Sequence, residues 1–196
     1  MEPFIMRDER IVGRRVVFRC DGSPEIGLGH VMRCLTLAGD FESAGAGSIQ
    51  FVSRKLSPIV GAKLARAGEV HWLAPDVSHD EDLAQTIGAC CNSERSVIIT
   101  DSHDFPEDYY LGLKSAGLLV VSIDDIGTPR YASDLVVNHH INATDYTFWI
   151  GPSTRLLLGP RYLPLRKEFR KWVGATRTDR DDSRLVISLG GMPEAD

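Results

Sequence analysis

Two periods of apolar residues alternate along the chain. Residues 15–19, Arg15-Val16-Val17-Phe18-Arg19, form a short run of β-formers. Past a glycine-rich stretch, apolar side chains fall at Val31, Cys34, Leu35, Ala38 and Phe41, which is the spacing of one helix face. The alternation then recurs. Strands are expected at residues 48–53, 69–73, 96–100, 118–123 and 135–137, with a last strand and turn over 156–162. Helices are expected at 58–67, 81–91, 106–116 and 165–173, the first and third closed by Gly68 and Gly117. Strands separated by helices of this size predict an α/β fold, a Rossmann-like, doubly wound, mainly parallel sheet covered on both faces. The expected division is an N-terminal extension (1–14), one Rossmann-like domain (15–173), a polar linker (174–183) and a restarting strand with a glycine loop (184–196).

The first strand-to-helix connection carries most of the chemistry. It runs Asp21-Gly22-Ser23-Pro24-Glu25-Ile26-Gly27-Leu28-Gly29-His30, at the carboxyl end of a strand, where open α/β sheets place their ligands. Gly27 and Gly29 can take positive φ and leave no side chain between a ligand and the backbone. The first amides of the helix are unpaired and suit an anion or a developing negative charge. An imidazole at that point, in its neutral form, can take a proton from water or a hydroxyl. Arg33 lies one turn on and can lean back toward the same place. Two other readings stand beside this one. A dinucleotide fingerprint would need a third glycine where Met32 stands. A glycine-rich turn whose histidine merely caps the helix is the plainer alternative.

Other strand ends deliver Asp101, Ser102 and His103, then Asp124-Asp125, then Asn138-His139-His140. Asp21, His30, Asp101, His103, Asp125 and Asn138 are therefore expected on one rim, where they would either meet a ligand or cap turns and helices. No metal site is expected: adjacent histidines on an extended chain point to opposite faces, and no H-E-x-x-H or paired-cysteine spacing supports them. There is no G-x-S-x-G elbow for a serine nucleophile.

The segment Asp21-Gly22-Ser23 followed by Ile26-Gly27-Leu28-Gly29-His30-Val31-Met32-Arg33-Cys34-Leu35-Thr36-Leu37-Ala38 resembles the opening signature of the UDP-2,4-diacetamido-2,4,6-trideoxy-β-L-altropyranose hydrolases of pseudaminic-acid biosynthesis. This family lies close to spore-coat polysaccharide glycosyltransferases. Phe51-Val52-Ser53-Arg54, Ile123-Asp124-Asp125, Asp134-Leu135-Val136-Val137-Asn138, Leu158-Gly159-Pro160-Arg161-Tyr162 and Leu165-Arg166-Lys167-Glu168-Phe169 agree with it in order and approximate spacing. The resemblance implies the N-terminal half of a GT-B-like, two-domain enzyme acting on a UDP-sugar without cofactor or metal. It implies His30 as the catalytic group. It also implies Asp21, Gly27, Gly29, Arg33, Asp101, His103, Asp125 and Asn138 around the sugar, and Gly190 and Gly191 at the nucleotide. In that family the second half holds most of the nucleotide, so a second chain or domain is the expected supplier of it. Two positions depart from the pattern: Ser102-His103 stands where the family has His-Tyr, and Met192 where it has a small hydroxylic residue. A glycosyltransferase half and a non-catalytic binding domain are the alternative expectations.

Composition adds bounds. A chain of 196 residues with 43% hydrophobic and 25% charged residues can bury one substantial core. A net charge of −5 gives no reason to expect nucleic acid or an anionic membrane as partner. The start lacks the apolar core of a signal peptide, and the four cysteines form no C-x-x-C pair, so a cytoplasmic protein with reduced thiols is expected.

Overall fold

The computed structural model describes residues 11–23, 26–54, 56–90, 96–127 and 130–174. Over these the expected alternation is realised as β1 (Arg15–Cys20), α1 (Gly29–Ser43), β2 (Ser48–Arg54), α2 (Pro58–Ala67), β3 (Glu69–Leu73), α3 (His79–Cys90), β4 (Val97–Asp101), α4 (Glu107–Ser115) and β5 (Leu119–Ile123). After these come β6 (Arg130–Tyr131), β7 (Leu135–Asn138), β8 (Trp149–Ile150), β9 (Arg155–Leu158) and α5 (Lys167–Arg170). Seven strands make one sheet in the order β3-β2-β1-β4-β5-β7-β9, and every pairing in it is parallel. The expected linker, restarting strand and Gly190-Gly191 loop lie outside the described residues, as does the start of the N-terminal extension.

The sheet is central because successive side chains of its inner strands go to opposite faces and both faces are buried. Val16, Phe18 and Cys20 pack with Val31, Cys34 and Ala38 of α1 and Val60 and Leu64 of α2. Val17 and Ile98 go the other way, to Ala89 of α3 and to Tyr109, Tyr110 and Leu113 of α4. Arg19 is on that second face, with no solvent exposure.

Two local expectations are corrected, and one pair of short strands is added. The last helix is one turn, Lys167–Arg170, rather than nine residues. The two-residue strands β6 and β8 pair with each other in a small separate sheet, too short for any periodicity to betray. Gly27 has φ of 75°, but Gly29 is the first residue of α1 and is not among the positive-φ glycines. Its role is to leave open space, since a Cβ there would meet nothing within 4 Å. Gly22 is the tight position: a Cβ would come to 3.1 Å from Val31 and 3.2 Å from Leu28.

Candidate functional site

Strand order reverses between β1 and β4, since β2 and β3 extend one way from β1 and the later strands extend the other way. That is the topological switch point of a doubly wound sheet, where the connections diverge and leave a crevice. The loop after β1 is closed on itself by the Gly27 amide donating to the Ser23 carbonyl at 2.8 Å. It then feeds α1, whose N-cap residue Leu28 makes no side-chain capping bond and whose first turn has no acid. His30 follows, in the first turn of α1.

The structure brings His30, Arg33, Asp101, His103 and Asp125 into one constellation. Asp101 ends β4, buried, and its Oδ1 is 2.6 Å from Nδ1 of His30. Arg33 donates from Nε to Asp101 Oδ2 and from Nη2 to Asp101 Oδ1, both at 2.8 Å, and from Nη1 to Asp125 Oδ2 at 2.8 Å. His103 Nε2 is hydrogen-bonded to Asp125 Oδ1, and its ring meets that of His30 edge-on, with centroids 4.8 Å apart. Arg33 thus ties the ends of β4 and β5 to the helix that carries His30.

A tautomer follows from these contacts. A carboxylate only accepts, so Nδ1 of His30 holds its proton toward Asp101. The Arg33 Nη2, also 2.8 Å from Nδ1, has its acceptor in Asp101 instead. This leaves the lone pair on Nε2, which makes no hydrogen bond among the described residues. An imidazole oriented by a buried acid, with its outer nitrogen unengaged, has the local arrangement of a general base. Burial opposes ionisation of Asp125, but the Arg33 charge and the bond from His103 outweigh it and hold its carboxyl below the usual range. Asp125 therefore stays ionised at neutral pH.

Asp21 and Asn138 are not brought into this group. Asp21 accepts from Arg19 at 2.8 Å, from the Arg54 backbone amide at 2.8 Å and from the Arg54 guanidinium at 2.6 Å. It belongs to a second ion-pair cluster, on the α3 side of the sheet. There Arg19 also grips Asp82 of α3 through Nε at 2.9 Å and Nη2 at 2.5 Å. Tyr109 donates to the same carboxylate at 2.8 Å. Asn138 is fully buried, donating to Asp124 at 3.0 Å and accepting from the His140 amide at 3.0 Å. Asp124 is itself a hub, accepting also from the amides of Ile126 and Gly127 and from the Tyr131 hydroxyl. Both residues shape the rim from beneath, with their polar groups committed to protein partners.

Sequence reasoning missed Arg19 and Asp82. The one available signal was a charged residue inside an otherwise apolar strand, which must find a partner when buried. His139 and His140 do not point to opposite faces: their ring centroids are 5.5 Å apart, because β7 stops at Asn138 and the Asn138 side chain turns the chain at His140. The thiols Cys20 and Cys34 are free and buried, and burial beside Cys20 pushes the Cys34 thiol up, away from nucleophilic use. No group of three or more His, Cys, Asp and Glu among the described residues could hold a metal ion. No helix among them is long and apolar enough to cross a membrane.

The fold and site define a Rossmann-like α/β protein with an acid–imidazole–guanidinium cluster at its switch point. No protein-family model matches the chain. Among its relatives, a UDP-2,4-diacetamido-2,4,6-trideoxy-β-L-altropyranose hydrolase of Campylobacter jejuni subsp. jejuni serotype O:2 is 26% identical over 179 residues, 90% of this chain and 60% of that enzyme. An uncharacterised protein of Methanocaldococcus jannaschii is 25% identical over 185 residues, 90% of this chain and 37% of its own length. The chain is thus distantly related to a nucleotide-sugar hydrolase, and spans 60% of that relative's length and 37% of the other's.

Proposed function

We propose that residues 15–173 form the sugar-facing half of a nucleotide-sugar hydrolase that releases UDP from a UDP-linked deoxy-amino sugar, as in pseudaminic-acid-type biosynthesis. The observation that carries this reading is the Asp101–His30 pair at the switch point, at the start of an uncapped helix. In the reaction, a water oxygen attacks the anomeric carbon while Nε2 of His30 takes one of its protons. The bond from that carbon to the diphosphate oxygen breaks, UDP leaves with the bonding electrons, and the anomeric centre inverts. Asp101 fixes the tautomer and stabilises the imidazolium that forms. Arg33 holds Asp101 in register with His30 and adds a fixed positive charge near the leaving group's path. His103 and Asp125 supply hydrogen bonds to the sugar, and the open space above Gly29 admits it. The uridine and the rest of the diphosphate would be held by a second domain or chain, whose binding energy positions the anomeric carbon.

Following UDP release from the relative's named substrate, with the product anomer read by proton NMR, tests this. Release in water alone, with inverted product, supports it. Release that depends on an added acceptor sugar moves the protein to the glycosyltransferases. UDP-sugar left intact in both conditions, with no binding, when the chain is joined to its nucleotide-holding half, removes the reading.

A further inference from the structure

The site holds two imidazoles, and each is backed by its own aspartate. His30 is tied through Nδ1 to Asp101, and His103 through Nε2 to Asp125. A carboxylate only accepts, so Nε2 of His103 holds its proton toward Asp125, and in the neutral ring the lone pair stays on Nδ1. That nitrogen has no hydrogen-bond partner among the described residues. The His103 side chain is 36% exposed, so its ring can be reached from solvent.

The two unengaged nitrogens, Nε2 of His30 and Nδ1 of His103, belong to rings in contact. The ring centroids are 4.8 Å apart and the planes cross at 78°. Arg33 bonds both backing aspartates, so the two pairs are held as one frame. A water that donates to two acceptors spans up to about 5.6 Å between them, twice a hydrogen-bond length. Water has two O–H bonds, and a frame of two acceptors takes both. Its lone pairs are then left to face a substrate. An alcohol has a single O–H and leaves one nitrogen without a donor, a mismatch that a site built for hydrogen bonds penalises.

We infer that His103 selects water as the nucleophile: its Nδ1 and Nε2 of His30 hold the attacking water between them, and this pair of acceptors favours water over an alcohol. This rests on the nucleotide-sugar reading of the site, and it narrows the contact assigned to His103 there, since the one lone pair of its ring goes to the water. In the step, the water oxygen forms its bond to the anomeric carbon as the bond to the diphosphate oxygen breaks. The O–H that faces His30 gives its proton to Nε2. The O–H that faces His103 stays intact and becomes the new hydroxyl of the released sugar. The same geometry therefore favours hydrolysis over transfer.

Competition between water and methanol tests this. The chain joined to its nucleotide-holding half is given UDP-2,4-diacetamido-2,4,6-trideoxy-β-L-altropyranose in aqueous methanol, and free sugar and methyl glycoside are measured by proton NMR. The product ratio is internal to each reaction, so it does not depend on how much enzyme is folded. H103F keeps the bulk of the ring and removes the lone pair, whereas H103N is smaller and can place an amide oxygen near the position of Nδ1. The wild type should give mainly free sugar, and H103N should stay close to it. H103F should raise the ratio of methyl glycoside to free sugar about tenfold, the scale of one hydrogen bond. Equal ratios in all three proteins overturn the role of His103 and leave the hydrolase reading intact. So does a rise in H103N as large as that in H103F or larger, since that reports room for a methyl group, and so does ready methyl glycoside formation by the wild type. A wild type that leaves the UDP-sugar intact overturns the nucleotide-sugar reading, and this inference with it.

Discussion

Arg19 and Arg33 each hold two aspartates near the carboxyl edge of the same sheet, and they do so for different ends. The Arg19 side chain is wholly buried and its partners Asp21 and Asp82 are tied down further by Arg54, Tyr109 and Thr86. Arg33 keeps 17% of its side chain exposed, and its partners Asp101 and Asp125 each bond an imidazole as well. The first cluster has only groups that keep fixed charges or hold their protons: guanidinium, carboxylate, and phenol and hydroxyl donors. The second has histidines, whose rings carry one nitrogen that donates and one that can accept a proton. A buried ion pair by itself is weak evidence of function, because removing either partner strands a charge whatever the role. What separates the two clusters is an exchangeable proton beside accessible space.

That contrast can be broken at its strongest point first. Asp82→Ala strands the Arg19 charge and should destabilise the fold by about 3–5 kcal/mol, the range for breaking a buried pair. Urea denaturation followed by circular dichroism reads this, and a change under 1 kcal/mol would show that water already shares the cluster. His30→Ala should lower UDP release about 10²-fold, the scale of a lost general base, with little change in denaturation midpoint. Wild-type turnover in that variant would take His30 out of the mechanism.

Finer substitutions sharpen the comparison. Arg→Lys keeps the charge but loses the planar fork. Arg33→Lys should therefore cut kcat by about tenfold through loss of the Asp101 alignment, while Arg19→Lys should lower stability and leave kcat of the folded protein alone. Similar behaviour of the two variants would erase the distinction between the clusters.

Acid should act on the Arg19 cluster in a predictable direction. Burial works against ionisation of Asp21 and Asp82, but the bonds and charges of Arg19 and Arg54 outweigh it and lower both from the ordinary 3.8. Groups with depressed folded-state values stabilise the fold fully above their unfolded value and lose that contribution as pH falls through the folded one. Stability should thus be flat in this respect above about pH 5 and decline below pH 4, and the decline should be shallower in Asp82→Asn. A decline equally steep in that variant would assign the acid sensitivity elsewhere. The smallest expected effect is that of EDTA: UDP release should be unchanged after exhaustive chelation. Loss that zinc or magnesium restores would bring His103, His139 and His140 back as ligands.

Much of this arrangement is written locally. The parallel sheet follows from strands alternating with helices, and the placement of His30 follows from a glycine turn feeding an amphipathic helix. The rim position of Asp101, His103 and Asp125 follows from each ending or following an apolar strand. Pairings between distant residues are not written that way. Nothing near Arg19 shows that its partner lies 63 positions on at Asp82. Asn138 has the right address for a ligand contact, and only the buried Asp124 beside it turns its amide inward. The one-turn α5 ends early for a tertiary reason as well, since its basic residues reach to α1 instead of continuing an apolar face.

That last contact has a mechanical consequence. Arg170 clamps both carboxylate oxygens of Asp40, and Lys167 donates to Ser43, so α5 is fastened to the outer side of α1. Asp40 is ten residues along α1 from His30, or about 15 Å at the helical rise. A load on the chain beyond residue 174 is therefore delivered to the shaft that carries the imidazole. The near end of that shaft is braced by Arg33 against two strands, and its middle by Val31, Cys34 and Ala38 against the sheet. The α5 contact, a solvent-exposed ion pair worth about 1 kcal/mol or less, would give way before the buried bracing around His30 does.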